Sequence, residues 1–188
     1  MQEWIEHCVD ENAHIISITE TKLTDRNAIG LMNSIYKIYT SNFTPYTDRQ
    51  HAASLGTALL VYEKLQPHIH DIKTIPGTAI CIDFFFPKNN KMRIISVYLP
   101  TNHKQLCERT QTKVFEWYLE AKHHNWNIII LGDFNANLNR DKKFPLFVNL
   151  SNANATSLLD FHNITSPTWM AHRRRVKSMI YGVIKNSC

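Results

Sequence analysis

The chain lacks a Cys-x-x-Cys pair, a long apolar run, an internal repeat and a low-complexity linker. Each absence narrows the possibilities. Cys8, Cys81, Cys107 and Cys188 lie far apart, which predicts reduced thiols inside a cell, although an even count also allows two disulfides. No apolar stretch reaches the length of a membrane span, and the longest, Ile80 to Phe86, is interrupted by Asp83. The amino terminus is acidic and mixed rather than basic and then apolar, so no secretory signal is expected. The expected location is therefore intracellular, nuclear or cytoplasmic. His68 and His70 share strand-like spacing but have no Cys, His or acidic partner at a zinc spacing, and an exposed connector after Pro67 is the better reading.

What is present suits one folded domain over residues 1–188. That length can bury one sizeable core, and 44% hydrophobic residues argue against disorder. The net charge is +5, with Arg173, Arg174, Arg175 and Lys177 as its densest cluster. Such a cluster fits either a solvated loop or contacts to the phosphates of a polyanion.

The most informative segment is Ile128-Ile129-Ile130-Leu131-Gly132-Asp133-Phe134-Asn135. A short apolar run ended by a glycine predicts a buried strand, with Asp133 and Asn135 at its carboxyl end. Side chains two apart on an extended chain share a face, so both can address one substrate atom. A carboxylate can orient or deprotonate a water, and an amide can donate to a charged oxygen. The same two residues would also suit a strand that simply ends in an Asp/Asn turn.

Three more segments bear on that choice. Ile15-Ile16-Ser17-Ile18-Thr19-Glu20-Thr21-Lys22 is an apolar strand ending in a carboxylate, and Ser96-Val97-Tyr98-Leu99-Pro100-Thr101-Asn102 is another ending in Tyr and Pro. Ser166-Pro167-Thr168-Trp169 follows Leu158-Leu159-Asp160. In this order and at these separations the four segments resemble the endonuclease/exonuclease/phosphatase superfamily, the DNase I-like fold. The resemblance runs from about Trp4 to about Lys185, and Glu-Thr-Lys and Gly-Asp-Phe-Asn are its most specific parts.

The resemblance implies an α/β (α+β) architecture, a four-layer sandwich of two packed mixed β-sheets flanked by helices. It implies Glu20 as the acidic ligand of a Mg²⁺ (or Mn²⁺) ion, and Tyr98 as a contact to the phosphate or the developing oxyanion. Asp133 would position or activate the attacking water, and Asn135 would hydrogen-bond the transition state. Asn102, Thr168, Trp169 and the Arg173, Arg174, Arg175 run would face the substrate. The partner implied is nucleic acid, DNA foremost, with no membrane. The implied activity is a divalent-metal-dependent phosphodiester hydrolase similar to retrotransposon-type and abasic-site endonucleases. Inositol phosphatases of the superfamily carry Gly-Asp-x-Asn-Tyr-Arg and Cys-Asp-Arg, whereas this chain has Asn135-Ala136-Asn137 and no Cys-Asp-Arg.

Three expected elements depart from the pattern. The chain opens on a predicted helix, Gln2 to Asn12, rather than on an asparagine-bearing strand. Tyr181 stands where an aspartate is expected, and no Ser-Asp-His segment precedes Cys188. Loss of a general acid or base alone typically costs ~10²–10⁴ in rate. These departures motivate the alternative of a catalytically inactive remnant that binds nucleic acid or protein. They also predict a fold incomplete at both ends, and hence self-association or a partner that supplies the missing strands.

The remaining periodicities predict a helix capped by Asp25 and carrying Ala28, Ile29, Met32, Ile35 and Tyr36, and a polar loop over 40–54. They predict a strand over 56–62, a hairpin of strands 78–86 and 91–99, and a helix over 104–123. A short helix over 145–149 and a loop over 151–157 follow.

Overall fold

The computed structural model describes residues 13–21, 35–41, 55–136 and 145–157, together with the backbone of 169–170, 177–178 and 183–184. Three strands form the smaller sheet: β1 (Ile15–Thr19), β2 (Tyr36–Thr40) and β3 (Thr57–Tyr62), in the order β1-β3-β2 with both pairings antiparallel. A 3₁₀ helix, Glu63–His68, then leads to the larger sheet. Its long strands are β4 (Ile69–Ile75), β5 (Ala79–Phe86), β6 (Asn90–Tyr98) and β7 (Asn127–Asp133), and between the last two runs α1 (Lys104–His123). After α2 (Pro145–Asn152) come the two-residue strands β8 (Thr156–Ser157), β9 (Trp169–Met170), β10 (Lys177–Ser178) and β11 (Val183–Ile184). The larger sheet has the order β4-β5-β6-β7-β11-β8, and among the described residues β9 pairs with β10 alone. It is a mixed sheet, because β6 and β7 run parallel while its other pairings are antiparallel.

The two sheets pack face to face, with helices against the larger one, as the resemblance implied. Alternation of side chains makes this possible. Leu59 and Val61 of β3 meet Ile80, Ile82, Phe84 and Ile94 in the seam between sheets. The opposite parity of the larger sheet, including Cys81, Ile95, Val97, Ile128 and Ile130, meets Val114, Trp117 and Tyr118 of α1 and Leu146 of α2. The far face of the smaller sheet carries Ile16, Tyr36, Ala58 and Leu60. Among the described residues no helix is long and apolar enough to cross a membrane.

Asp83 interrupts the longest apolar run because it is half of a buried ion pair. Arg93, directly opposite on β6 and wholly buried, donates Nε to Asp83 Oδ1 at 2.6 Å and Nη2 to Oδ2 at 2.6 Å. Its Nη1 reaches the Trp117 carbonyl and Glu120 Oε2, each at 2.7 Å, and so ties α1 to the sheet.

The hairpin, the helix over 104–123 and the strand of aliphatic residues form as the periodicities predict. Other expectations need correction. Tyr36 opens a strand rather than closing a helix, because Tyr36, Ile38 and Thr40 continue an alternating, β-favouring pattern. His68 and His70 do not form a loop-like connector: His68 closes the 3₁₀ helix and His70 lies in β4, whose pairing shifts register between Ile69 and Asp71. The stretch 151–157 begins inside α2 and ends in β8. The helix expected over 2–12 and most of the one expected after Asp25 lie outside the described residues.

Candidate active site

Two parallel strands present their carboxyl ends together. In the β6–β7 register Val97 lies opposite Gly132 and Tyr98 opposite Asp133. Gly132 permits this closeness. A Cβ built there would sit 1.9 Å from the Val97 carbonyl oxygen, and its φ of +135° is one that other residues rarely adopt. The glycine that ends the aliphatic run thus lets the Asp133 strand lie against Tyr98.

Glu20 arrives from the other sheet. It follows the last residue of β1 and takes a left-handed φ of 54°, strained for a glutamate by about 1–3 kcal/mol. Backbone hydrogen bonds fasten this end of the seam. Thr21 N donates to the Gly56 carbonyl at 3.1 Å, Gly56 N to Gly77 at 2.9 Å, and Tyr98 N to Thr78 at 2.7 Å. Beneath them the hydroxyls of Ser17 (β1) and Ser96 (β6) share a hydrogen bond of 2.6 Å from sheet to sheet. With that frame in place, the Tyr98 hydroxyl donates to Glu20 Oε1 at 2.7 Å.

Asn135 closes the group. Its φ of 47° is tolerable for asparagine, and its backbone N–H donates to Asp133 Oδ1 at 2.9 Å in an Asx-type turn. Its side-chain Nδ2 donates to the Leu99 carbonyl at 2.9 Å, which occupies one of that nitrogen's two hydrogens. The turn reading and the chemical reading of Asp133-Phe134-Asn135 are therefore both satisfied: the turn holds the two side chains in place.

The electrostatics follow from burial and like charge. Partial burial pushes the Asp133 carboxyl above the usual aspartate range, the Glu20 charge pushes the same way, and the Asn135 N–H opposes them. Burial, the bond to Glu20 and the charges of Glu20 and Asp133 push the Tyr98 phenol well up, against a smaller opposing effect of Asn135. Tyr98 therefore stays a hydrogen-bond donor at any physiological pH. A carboxylate drawn upward toward neutrality is better matched to proton transfer than an ordinary aspartate.

Four of the residues singled out from the sequence, Glu20, Tyr98, Asp133 and Asn135, thus lie at one edge of the seam. Asn102 lies beyond Tyr98 in the turn before α1, exposed, and accepts a 3.3 Å hydrogen bond from Thr101 Oγ1. Trp169 opens β9 opposite Ser178, while Thr168, Arg173, Arg174 and Arg175 lie outside the described residues. Sequence reasoning missed the supporting contacts, namely the Leu99 carbonyl and the Ser17–Ser96 pair. A serine inside each of two aliphatic runs, Ile15 to Ile18 and Ile94 to Val97, is the available signal.

A cavity of about 380 Å³, lined by residues including His14, Tyr36, Tyr62 and Glu63, lies at the opposite end of β1 from Glu20. Among the described residues no three His, Cys, Asp or Glu side chains group as a metal cluster, so the site's acidic donors there are Glu20 and Asp133.

Known proteins place this geometry in context. The model of the Endonuclease/Exonuclease/phosphatase family matches residues 1–177. No curated protein sequence matches the chain. Among solved structures, the catalytic domain of Xenopus laevis APE2 is similar with a TM-score of 0.69 at 14% identity, over 95% of this chain and 76% of that one. A 3′ phosphatase from Neisseria, solved with a product DNA hairpin, has a TM-score of 0.70 at 14% identity, over 97% of this chain and 80% of that one. The human Nocturnin catalytic domain has a TM-score of 0.64 at 13% identity, over 96% of this chain and 72% of that one. At these identities the structures speak to the fold, and the family match supplies the membership.

Proposed function

The chain belongs to the endonuclease/exonuclease/phosphatase family, and we propose that it is a divalent-metal-dependent phosphodiesterase acting on nucleic acid, with Asp133 as general base. The observation that carries this reading is the meeting of three strand ends: Tyr98 bonded to Glu20 at 2.7 Å and paired in register with Asp133. A phosphodiester needs a water aligned and deprotonated on one side, and charge neutralised on its oxygens. The quartet supplies groups for each task.

Asp133 takes the proton of the attacking water, which its raised proton affinity favours. Asn135 holds Asp133 through its backbone N–H, and its side chain, anchored on the Leu99 carbonyl, also hydrogen-bonds Tyr98 and so helps fix that hydroxyl. Tyr98, protonated throughout, fixes the Glu20 carboxylate and borders the place where the phosphate would lie. The Glu20 charge raises the cost of ionising Asp133, which suits a hard cation nearby, and Mg²⁺ needs only one or two carboxylates beside its waters. Held by Glu20 beside Asp133, the cation would neutralise phosphate charge and orient the reacting groups, leaving Asp133 to take the proton. The net charge of +5 and the DNA hairpin bound to the similar Neisseria phosphatase support a nucleic-acid substrate.

The test is nicking of supercoiled plasmid by the purified chain with Mg²⁺ or Mn²⁺, alongside EDTA, Glu20→Gln and Asp133→Asn. Nicking that requires the metal and both carboxylates is expected. A cooperatively melting protein that leaves the plasmid intact with either metal would overturn the reading and leave binding without catalysis.

A further inference from the structure

At the far end of the larger sheet stands a column of rings and cations that catalysis does not use. The register shift between Ile69 and Asp71 turns His70 onto Phe85, with ring centroids 3.9 Å apart and planes within 11°. Phe85 meets Trp126 edge to face at 5.3 Å, and Trp126 lies against His124 at 5.6 Å with planes 29° apart. Lys91 Nζ rests 4.6 Å from the Phe85 centroid and 5.7 Å from that of Trp126. The column ends in exposed rings, His70 on one side and on the other His124, which the exposed His123 meets edge to face at 5.3 Å.

We propose that this column is a second binding site, a stacking shelf for single-stranded nucleic acid remote from the hydrolytic edge. Ring chemistry and charge both lead there. His70 stacked on Phe85 and His124 stacked on Trp126 are two preformed ring pairs that an unpaired base can extend, a contact worth about 1–3 kcal/mol per base and indifferent to sequence. Lys91 is held by two ring faces and has no carboxylate partner among the described residues, so its charge is left for a phosphate. The neighbouring carboxylates are engaged elsewhere. Glu120 takes Arg93 at 2.7 Å and Lys73 at 2.9 Å, and Asp71 accepts from the Ile72 N–H at 2.8 Å. Lys88, in the β5–β6 turn, and His123 add exposed basic groups on the two sides.

Location excludes the hydrolytic edge as the origin of these features. Asn90 and Tyr98 are the two ends of β6, so the shelf and Tyr98 are roughly 25 Å apart at ~3.3 Å per residue. The shelf does not rest on the catalytic reading, since it would hold a single strand whether or not the other end hydrolyses it.

The experiment uses the full chain carrying Asp133→Asn, in EDTA, with a fluorescein-labelled dT12 strand that contains one 5-iodouracil. Photocrosslinking is expected to mark Trp126, His124 or His70. The pair Lys91→Gln with His124→Ala should weaken dT12 binding about tenfold while leaving the melting transition in place. Trp126→Ala should do the same and Trp126→Phe should restore most of the loss. If Trp126→Ala does not fold, the Lys91/His124 pair decides alone. Crosslinks confined to the Tyr98 end, unchanged affinity in the Lys91/His124 pair, or equal competition by inorganic polyphosphate would each overturn the shelf. Plasmid nicking by the otherwise unaltered chain tests the hydrolytic edge separately, so either site can fail without the other.

Discussion

The Tyr98 hydroxyl donates to Glu20 Oε1 across 2.7 Å, joining residues 78 positions apart and one sheet to the other. A hydrogen bond to a charged group contributes about 1.5–3 kcal/mol when well sheltered, and Glu20 is exposed, so the lower part of that range applies. Tyr98→Phe should therefore cut hydrolysis by roughly ten- to a hundredfold while the fold survives. Single-turnover rates beside a thermal melt would check this. An unchanged rate would remove Tyr98 from the site.

Asp133 makes stability and activity depend oppositely on pH. Its folded-state affinity for a proton is raised, chiefly by burial and then by Glu20. Stability from this group is therefore fully present below the ordinary aspartate range and is lost as pH rises through the raised folded value. Activity needs the ionised form, so the rate should climb through that same interval. Asp133→Asn should be more stable than the parent at pH 8, with the advantage vanishing near pH 3. Urea titrations at both values measure it, and a difference that does not change with pH would contradict the shift.

Glu20→Gln should lower the Asp133 pKa, because it removes a negative charge that raises it. A saturating divalent cation should lower it further in the parent protein. Carboxyl ¹³C resonances followed through a pH titration report both changes directly. If Asp133 titrates identically in the parent and the Glu20→Gln variant, the two carboxylates do not share a site.

Much of this was legible from the chain, for identifiable reasons. The four aliphatic residues before Gly132 predict a buried strand because β7 is covered on both faces, by α1 on one and the smaller sheet on the other. Glu20, Tyr98 and Asp133 can be singled out because each ends such a strand, where side chains leave the core. What could not be read was the lateral bonding. No local signal says that Asn135 Nδ2 meets the Leu99 carbonyl, or that Ser17 meets Ser96, since these pairs are 36 and 79 residues apart. β4 escaped notice because its exposed residues, His70, Asp71, Ile72 and Thr74, do not alternate cleanly after the bulge. Tyr36 reads as the end of a helix because it follows Met32 by four residues, at helical spacing, although it opens a strand.

Gly132→Ala should cost about 2–4 kcal/mol, from strain at a φ of +135° together with a Cβ pressed 1.9 Å from the Val97 oxygen. Relief requires β7 to move away from β6, which carries Asp133 away from Tyr98. Hydrolysis should fall more than the loss of folded protein explains, and comparing rates per folded molecule by urea titration separates the two. A fully stable Gly132→Ala variant would mean that the β6–β7 spacing is not fixed by this glycine.

The buried Arg93 offers a sharper stability test, because one partner's removal and both partners' removal predict different outcomes. Arg93→Met leaves Asp83 buried beside an apolar side chain, at a cost of about 3–5 kcal/mol. It also frees the Trp117 carbonyl and Glu120, loosening α1 from the sheet. Adding Asp83→Leu removes the stranded charge, so the double variant should recover most of the loss. On the acid side, bonds from Lys73 and then Arg93 hold the Glu120 carboxyl down to about 2, against opposing burial. The stability this provides is present above the ordinary glutamate range and is lost as pH falls through about 2. Arg93→Met should lose that contribution at a higher pH than the parent, because one of the two cations holding Glu120 is gone. A double variant as unstable as Arg93→Met would show that the lost bonds to α1, rather than the buried charge of Asp83, set the cost.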